Sequence, residues 1–309
     1  MTAPDLFAQQ AANRRRSVWL VAGFLVFFAW VGFGGDLGLH VLTAGAPPGA
    51  YRHRVPIIGL ATTALAAGLC RYAWRHGAER VLWATGAWRI VEPSTPVERQ
   101  LVNVVEEMAI AAGLPMPRVW IVPDPDPNAF AVGHGPESAN VAVTRGLLEA
   151  LERDELQAVV AHEMAHVKNL DVRLMTLLAA LVGAVALLSD GLGRLLRHGG
   201  RVATGGRGGR KGGNPLGAII LVLWLLTLLV APVISRLLAM AVSRRREYLA
   251  DATAAQLTRN PAALAAALEK LERAGTPTRA ITRGAAHLCI VDPTGSALAR
   301  REGLLGELW

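Results

Sequence analysis

The stretch from Glu155 to Leu170 reads ELQAVVAHEMAHVKNL. It holds no Gly or Pro, and Asp154 just before it is a natural N-cap, so it is read as a helix. On a helix, residues i and i+4 share a face, which lets the imidazoles of His162 and His166 reach one metal ion. Glu163 lies about 100° further round the helix. That puts its carboxylate beside such an ion rather than on it, where it can take a proton from water. The plainer alternative is two surface histidines on an amphipathic helix. But Val159, Val160, Met164 and Val167 flank them, so this face reads as buried, and two buried imidazoles without partners are costly. Metal binding is the better reading.

A catalytic zinc usually takes three protein ligands and keeps one position for water. No acid occurs between Gly191 and Arg246; the first is Glu247, in SRRREYLAD (243–251). Glu247 and Asp251 are again i and i+4 on a helix. Glu247 can ligate while Asp251 hydrogen-bonds the other nitrogen of a ligand histidine and fixes its tautomer. Asp171 is the rival ligand. Five residues after His166 on the same helix, it lies too far round for the same ion. His134, His198 and His287 read as ordinary polar histidines.

Upstream, residues 94–113 predict a helix with Thr95 as N-cap, Pro96 at its first position, Glu98 completing a capping box and Gly113 as the stop. RVWIV (118–122) reads as a strand. NAFAV (128–132) and NVAVT (140–144) read as two more strands, joined by a Gly-containing turn. Downstream, Asn260-Pro261 opens a helix over 261–274.

Composition places this polar unit beside a membrane. Of the 309 residues, 52% are hydrophobic and only 18% charged, where a soluble domain carries about 25% charge. Apolar runs span Val18–Phe33, Val55–Trp74, Leu174–Leu188 and Leu216–Ile234. A bilayer-crossing helix needs about 17–25 residues, and the third run is short. The first is read as a signal anchor rather than a cleaved signal, because the small-residue site Ala44–Ala46 lies well past it. Arg14–Arg16 precede run one and Arg75, Arg80 and Arg89 follow run two, which puts both flanks in the cytoplasm. The loop between runs three and four carries six positive charges, which leaves open a hairpin that does not fully cross. Within it, GGRVATGGRGGRKGG (199–213) reads as a flexible linker. The net charge of +8 fits nucleic acid or an anionic membrane surface, and the apolar content favours the membrane; within 199–213 no aromatic residue interleaves with the arginines, which disfavours RNA. The pair Cys70 and Cys289 gives no disulfide framework and no cysteine-type zinc site.

At these residues the chain resembles a family. HEMAHVKNLD (162–171), SRRREYLAD after two apolar runs, two N-terminal apolar runs and the NAFA strand (128–131) are together similar to the HtpX-like membrane zinc metalloproteases, relatives of the type I CAAX prenyl proteases. The resemblance covers about residues 15–290. It implies a mainly helical α+β integral membrane protein with a gluzincin-type metalloprotease domain, a small sheet and about four membrane-associated helices. It implies one zinc per chain held by His162, His166 and Glu247, with Glu163 as catalytic base. It also implies that Asn128, Ala129, Phe130 and Ala131 form an edge strand that pairs with substrate backbone, a known mode of peptide recognition.

The expected organisation is a two-helix membrane anchor over 1–75 and a protease domain over 76–309, interrupted by the membrane hairpin 174–234. The expected activity is endopeptidase cleavage of misfolded or damaged membrane proteins at the bacterial inner membrane, with a cytoplasm-facing site. Tyr248, Arg244 and His287 are unranked choices for stabilising the oxyanion. Members of the family typically continue beyond the position of Trp309 into a Thr-His-Pro-Pro segment. The rival class is a zinc-binding membrane scaffold without catalysis, against which the intact Glu163 speaks. A transporter is disfavoured because the apolar runs lack an internal acid or histidine.

Overall fold

The structure is a computed structural model that describes residues 6–45, 47–181, 244–274 and 289–290. The described residues fall into two compact units. Those up to Ser17, from Trp74 to Ala180 and beyond Val242 form the first; the second is built on Val18–Ala73.

In the first unit, helix α3 (Pro96–Ala112) starts and stops where its signals predict. Thr95 Oγ1 accepts the Glu98 N–H at 3.2 Å, the Glu98 carboxylate accepts the Thr95 N–H at 3.2 Å, and Gly113 ends the helix at φ 67°. Only glycine takes that left-handed conformation without strain. A four-stranded mixed sheet follows, with β1 (Trp88–Arg89), β2 (Arg118–Val122), β3 (Ala129–Val132) and β4 (Asn140–Thr144) in the order β1-β2-β4-β3. β2 and β4 run parallel, while β1–β2 and β3–β4 are antiparallel. The two-residue β1 and the short helix α4 (Arg145–Ala150) had no sequence signal long enough to read.

Helix α5 (Arg153–Lys168) carries the histidines. It begins two residues earlier than an Asp154 cap implies. Glu155 reaches back to accept the Glu152 N–H at 2.8 Å, making Glu152 the N-cap. The acidic side chains at both positions suit the positive end of the helix. Unlike an amphipathic surface helix, α5 is buried nearly all round, with Val159, Val160, Ala161 and Met164 fully enclosed. Leu101, Val104 and Val105 of α3, Val141 and Val143 of β4, and Leu264, Ala267 and Leu271 of a C-terminal helix share its core.

The helix then breaks. Leu170 has φ 59°, a left-handed conformation in which L-residues do not continue a helix, and helix α6 starts afresh at 171 and is described to 181. Asp171 therefore does not lie on the histidine helix, as expected from sequence, but opens the next one. Beyond 181 the membrane hairpin 174–234, with its 199–213 loop, lies outside the described residues. Helices α7 (Arg244–Thr258) and α8 (Pro261–Ala274) complete the unit, and Asn260 Oδ1 caps α8 by accepting the Ala263 N–H.

Helices α1 (Leu6–Thr43) and α2 (Ile57–Ala84) both run past the apolar stretches seen in sequence. Both are long and apolar enough to cross a membrane. Within the second unit they approach closely at Gly32 and Gly59, where a Cβ on either would overlap the other helix; small residues permit such contacts between membrane helices. Large apolar side chains such as Trp19, Val26 and Trp30 stay exposed. Because α1 extends to Thr43, it includes Asp36, an acid the apolar run itself did not contain; the carboxylate is 4% exposed and is taken up below.

Candidate active site

His162 and His166 lie one turn apart on α5, and Glu247 comes to them from the first turn of α7. His162 Nε2 and His166 Nε2 are 3.2 Å apart. Glu247 Oε2 lies 3.6 Å from the first and 3.5 Å from the second. These three atoms form a nearly equilateral triangle. A tetrahedral zinc with bonds of about 2.0–2.1 Å separates its ligand atoms by roughly 3.3–3.4 Å. The donor set and its spacing therefore fit one such ion.

Each histidine has a carboxylate behind it. Asp251 Oδ1 lies 2.9 Å from His162 Nδ1, close enough for an ion pair though not aligned for a hydrogen bond. Asp171 Oδ2 lies 3.3 Å from His166 Nδ1. The Asp251 charge stands behind His162, and at the same place behind His166 the Asp171 hydrogen bond on the far nitrogen fixes the tautomer of that ring and points its Nε2 forward. The break at Leu170 makes this second pairing possible. Asp171, the rival ligand in sequence, sits at the back of His166 and not among the three converging atoms.

The electrostatics follow from burial and these pairings. Burial by itself lowers the His166 pKa, but hydrogen bonds with Asp171 and Glu247 outweigh it and push it up to about 10. His162 is likewise pulled down by burial and raised on balance by Asp251 and Glu247. Burial raises Glu247, yet the two histidines hold it well below the usual carboxylate range. Glu163 is 2% exposed. Burial raises its pKa, against opposing contributions from the histidines and from the Ala131 N–H that it accepts. A carboxylate lifted toward neutrality is suited to exchanging protons.

These groups line a cleft whose wall includes Ala131, Met175, Cys289 and Ile290. The NAFA segment lies alongside. Asn128 precedes β3, and its amide oxygen accepts the Ala129 N–H at 3.0 Å. Of its outer edge, the Ala129 carbonyl accepts the Ile290 N–H at 3.1 Å, and Phe130 pairs antiparallel with Cys289. The edge read from sequence as a substrate platform thus carries part of the chain's own backbone.

Of the three oxyanion choices, Tyr248 is 70% exposed, while the Arg244 side chain and His287 lie outside the described residues. Sequence reasoning passed over Arg246, which is 4% exposed and donates to Met175 Sδ at 3.8 Å. Burial lowers its pKa, and the charges of Asp171 and Glu247 act to raise it. Its spacing was a usable signal: Arg246, Ala250 and Ala254 recur at i, i+4 and i+8 and are all buried. His134 stacks on the Trp74 ring at 5.5 Å and is not one of the three converging ligands.

Residues 96–295 match Peptidase family M48. The chain belongs to that family and is a metalloprotease. Among its relatives, Protease HtpX homolog of Listeria monocytogenes serotype 4a (strain HCC23) is 41% identical over 277 residues, covering 86% of this chain and 84% of the relative. The protein of the same name from Streptococcus gordonii (strain Challis) is 37% identical over 291 residues, covering 93% and 91%. That from Dictyoglomus thermophilum is 40% identical over 251 residues, covering 77% and 78%.

Proposed function

We propose that this protein is a zinc-dependent endopeptidase of the bacterial inner membrane that cleaves misfolded or damaged membrane proteins from the cytoplasmic side. The observation that carries the reading is the triangle of His162, His166 and Glu247 with the buried Glu163 beside it. His162, His166 and Glu247 hold the metal, and Asp251 orients His162. Bound zinc supplies Lewis-acid chemistry, lowering the pKa of a water toward about 7 and polarising a carbonyl. Glu163 takes the water's proton and returns it to the leaving amine. Ala131 of β3 lines the same cleft as Glu163.

Substrate enters as an extended segment along β3, over Asn128–Ala131. It takes the side on which Cys289 and Ile290 run, so these two residues share or yield the edge beside Ala129. The gluzincin-type domain occupies 76–309, and 1–75 forms the anchor. The arginines around the first two apolar runs orient the chain, and the hairpin 174–234 adds two further membrane-associated helices.

The test is proteolysis of an unfolded model substrate by detergent-purified protein. Wild type should hold about one zinc per chain. Glu163→Gln keeps size and most hydrogen bonding, so it should retain the zinc and cut at least about 100-fold more slowly. Cleavage at the wild-type rate by a zinc-loaded Glu163→Gln protein refutes the mechanism. Full activity of metal-free wild type refutes the zinc dependence. A reporter fused at residue 85 should register as cytoplasmic, and an external signal there reverses the orientation.

A further inference from the structure

The polar start of α1, ahead of the first apolar run, is built into the back of the metal cluster. Gln10, Asn13 and Ser17 recur at i, i+3 and i+7 and so share one face of the helix. Asn13 and Ser17 are completely buried, although Arg14, Arg15 and Arg16 between them are exposed. Gln10 Nε2 donates to the Lys168 carbonyl at 2.8 Å, at the C-terminal end of the histidine helix. Asn13 Nδ2 donates to the Asn169 carbonyl at 3.0 Å and to Asp171 Oδ1 at 2.6 Å. The other oxygen of that same carboxylate, Oδ2, lies 3.3 Å from His166 Nδ1. The amide orientation is fixed by chemistry: a carbonyl and a carboxylate can only accept, so the NH₂ must face them. Consistently, the amide oxygen on the other side accepts from Arg16 Nη1 at 3.3 Å.

We infer that Asn13 is a positioning residue for the metal centre, holding the Asp171 carboxylate in the rotamer that directs His166 at the ion. The inference rests on the metal-centre reading above. Asp171 is 1% exposed and follows the left-handed turn at Leu170, so no helical register sets its side chain against His166. What holds it must come from elsewhere in the fold, and Asn13 supplies a short, buried, charge-assisted bond to it. Partners of ligand histidines commonly tune metal affinity by about 10–100-fold. Asn13 stands one bond further out, at the root of the helix that enters the membrane.

The experiment uses the full chain in detergent and reads the metal directly, by zinc release to a chromogenic chelator and by the visible absorption of cobalt-substituted protein. Asn13→Ala should release zinc about tenfold faster and shift the cobalt bands. Asn13→Asp, which sets one carboxylate against another, should do so more strongly. Gln10→Ala removes a bond to the same helix end without touching Asp171, and should leave both metal readouts at wild type even if melting falls. Asn13→Ala with wild-type zinc release and an unchanged cobalt spectrum overturns the inference, as does a Gln10→Ala protein that matches Asn13→Ala. Wild-type protein that takes up no zinc overturns the metal-centre reading itself.

Discussion

Among the described residues, two buried clusters pair histidine with carboxylate, and they are built for opposite ends. In the second unit, Asp36 of α1 lies 2.7 Å from His53 Nε2, both side chains being 5% exposed. The Asp36 oxygens also accept the Ile58 and Gly59 N–H groups at 3.2 and 2.6 Å, so the carboxylate caps the first turn of α2. Tyr51 Oη sits 2.8 Å from the remaining ring nitrogen of His53. Every strong group there has a partner, and the cluster is closed. In the first unit the carboxylates Asp251 and Asp171 stand behind the rings, so that two Nε2 atoms and Glu247 Oε2 converge on one point. A ring of acceptors facing each other is stable only with a proton or a cation among them. Residue type does not separate a structural knot from a metal site; the direction in which the lone pairs point does.

This contrast can be broken most sharply at the converging atoms. Glu247→Ala should lose zinc and peptidase activity together, while Asp36→Ala should keep the zinc; elemental analysis of both proteins decides it. If Asp36→Ala loses its metal as Glu247→Ala does, the two clusters are not independent. Next, Asp251→Asn should weaken zinc binding by about 10–100-fold, measured by competition with a chelator of known affinity. An unchanged affinity means that His162 needs no orienting carboxylate. A smaller effect is expected on folding: Asp36→Asn should cost roughly 1–3 kcal/mol in thermal or denaturant unfolding, with metal affinity untouched.

The subtlest expectation concerns pH. In metal-free protein the folded-state pKa of His166 is held at about 10, above the ordinary histidine value near 6.5. A raised pKa contributes stability that is fully present below about pH 6.5 and fades as pH climbs through about 10. Melting of the metal-free protein should therefore fall from pH 7 to pH 10, and zinc, which displaces the proton, should bind more tightly over the same range. A flat melting profile for metal-free protein in that window refutes the charge assignment.

Much of the site was legible because helical spacing is local information. HEMAH places two imidazoles on one face whatever surrounds it, and the acid-free gap from Gly191 to Arg246 singles out Glu247. The helix 96–112 was legible to the residue, since its cap, capping box and C-terminal glycine act within one turn of each end. The sequence could not place Asp171, whose position depends on one left-handed residue, Leu170, that carries no glycine or asparagine signal. Nor could it show that the NAFA edge carries Ile290, some 160 residues away in the chain.

By itself, then, the sequence determined the kinds of element, the donor types and their facing along each helix, because periodicity and capping are set within a few residues. Only the tertiary structure decided which carboxylate stands behind which histidine, that Arg246 is buried beside the site, and that Asn13 reaches Asp171 across 158 positions of chain. Those pairings join segments with no local coupling. They exist because α3, β3, α7 and α8 enclose α5 while α1 meets the chain just past its end, and each buried polar group must then find a partner from whichever segment packing has delivered.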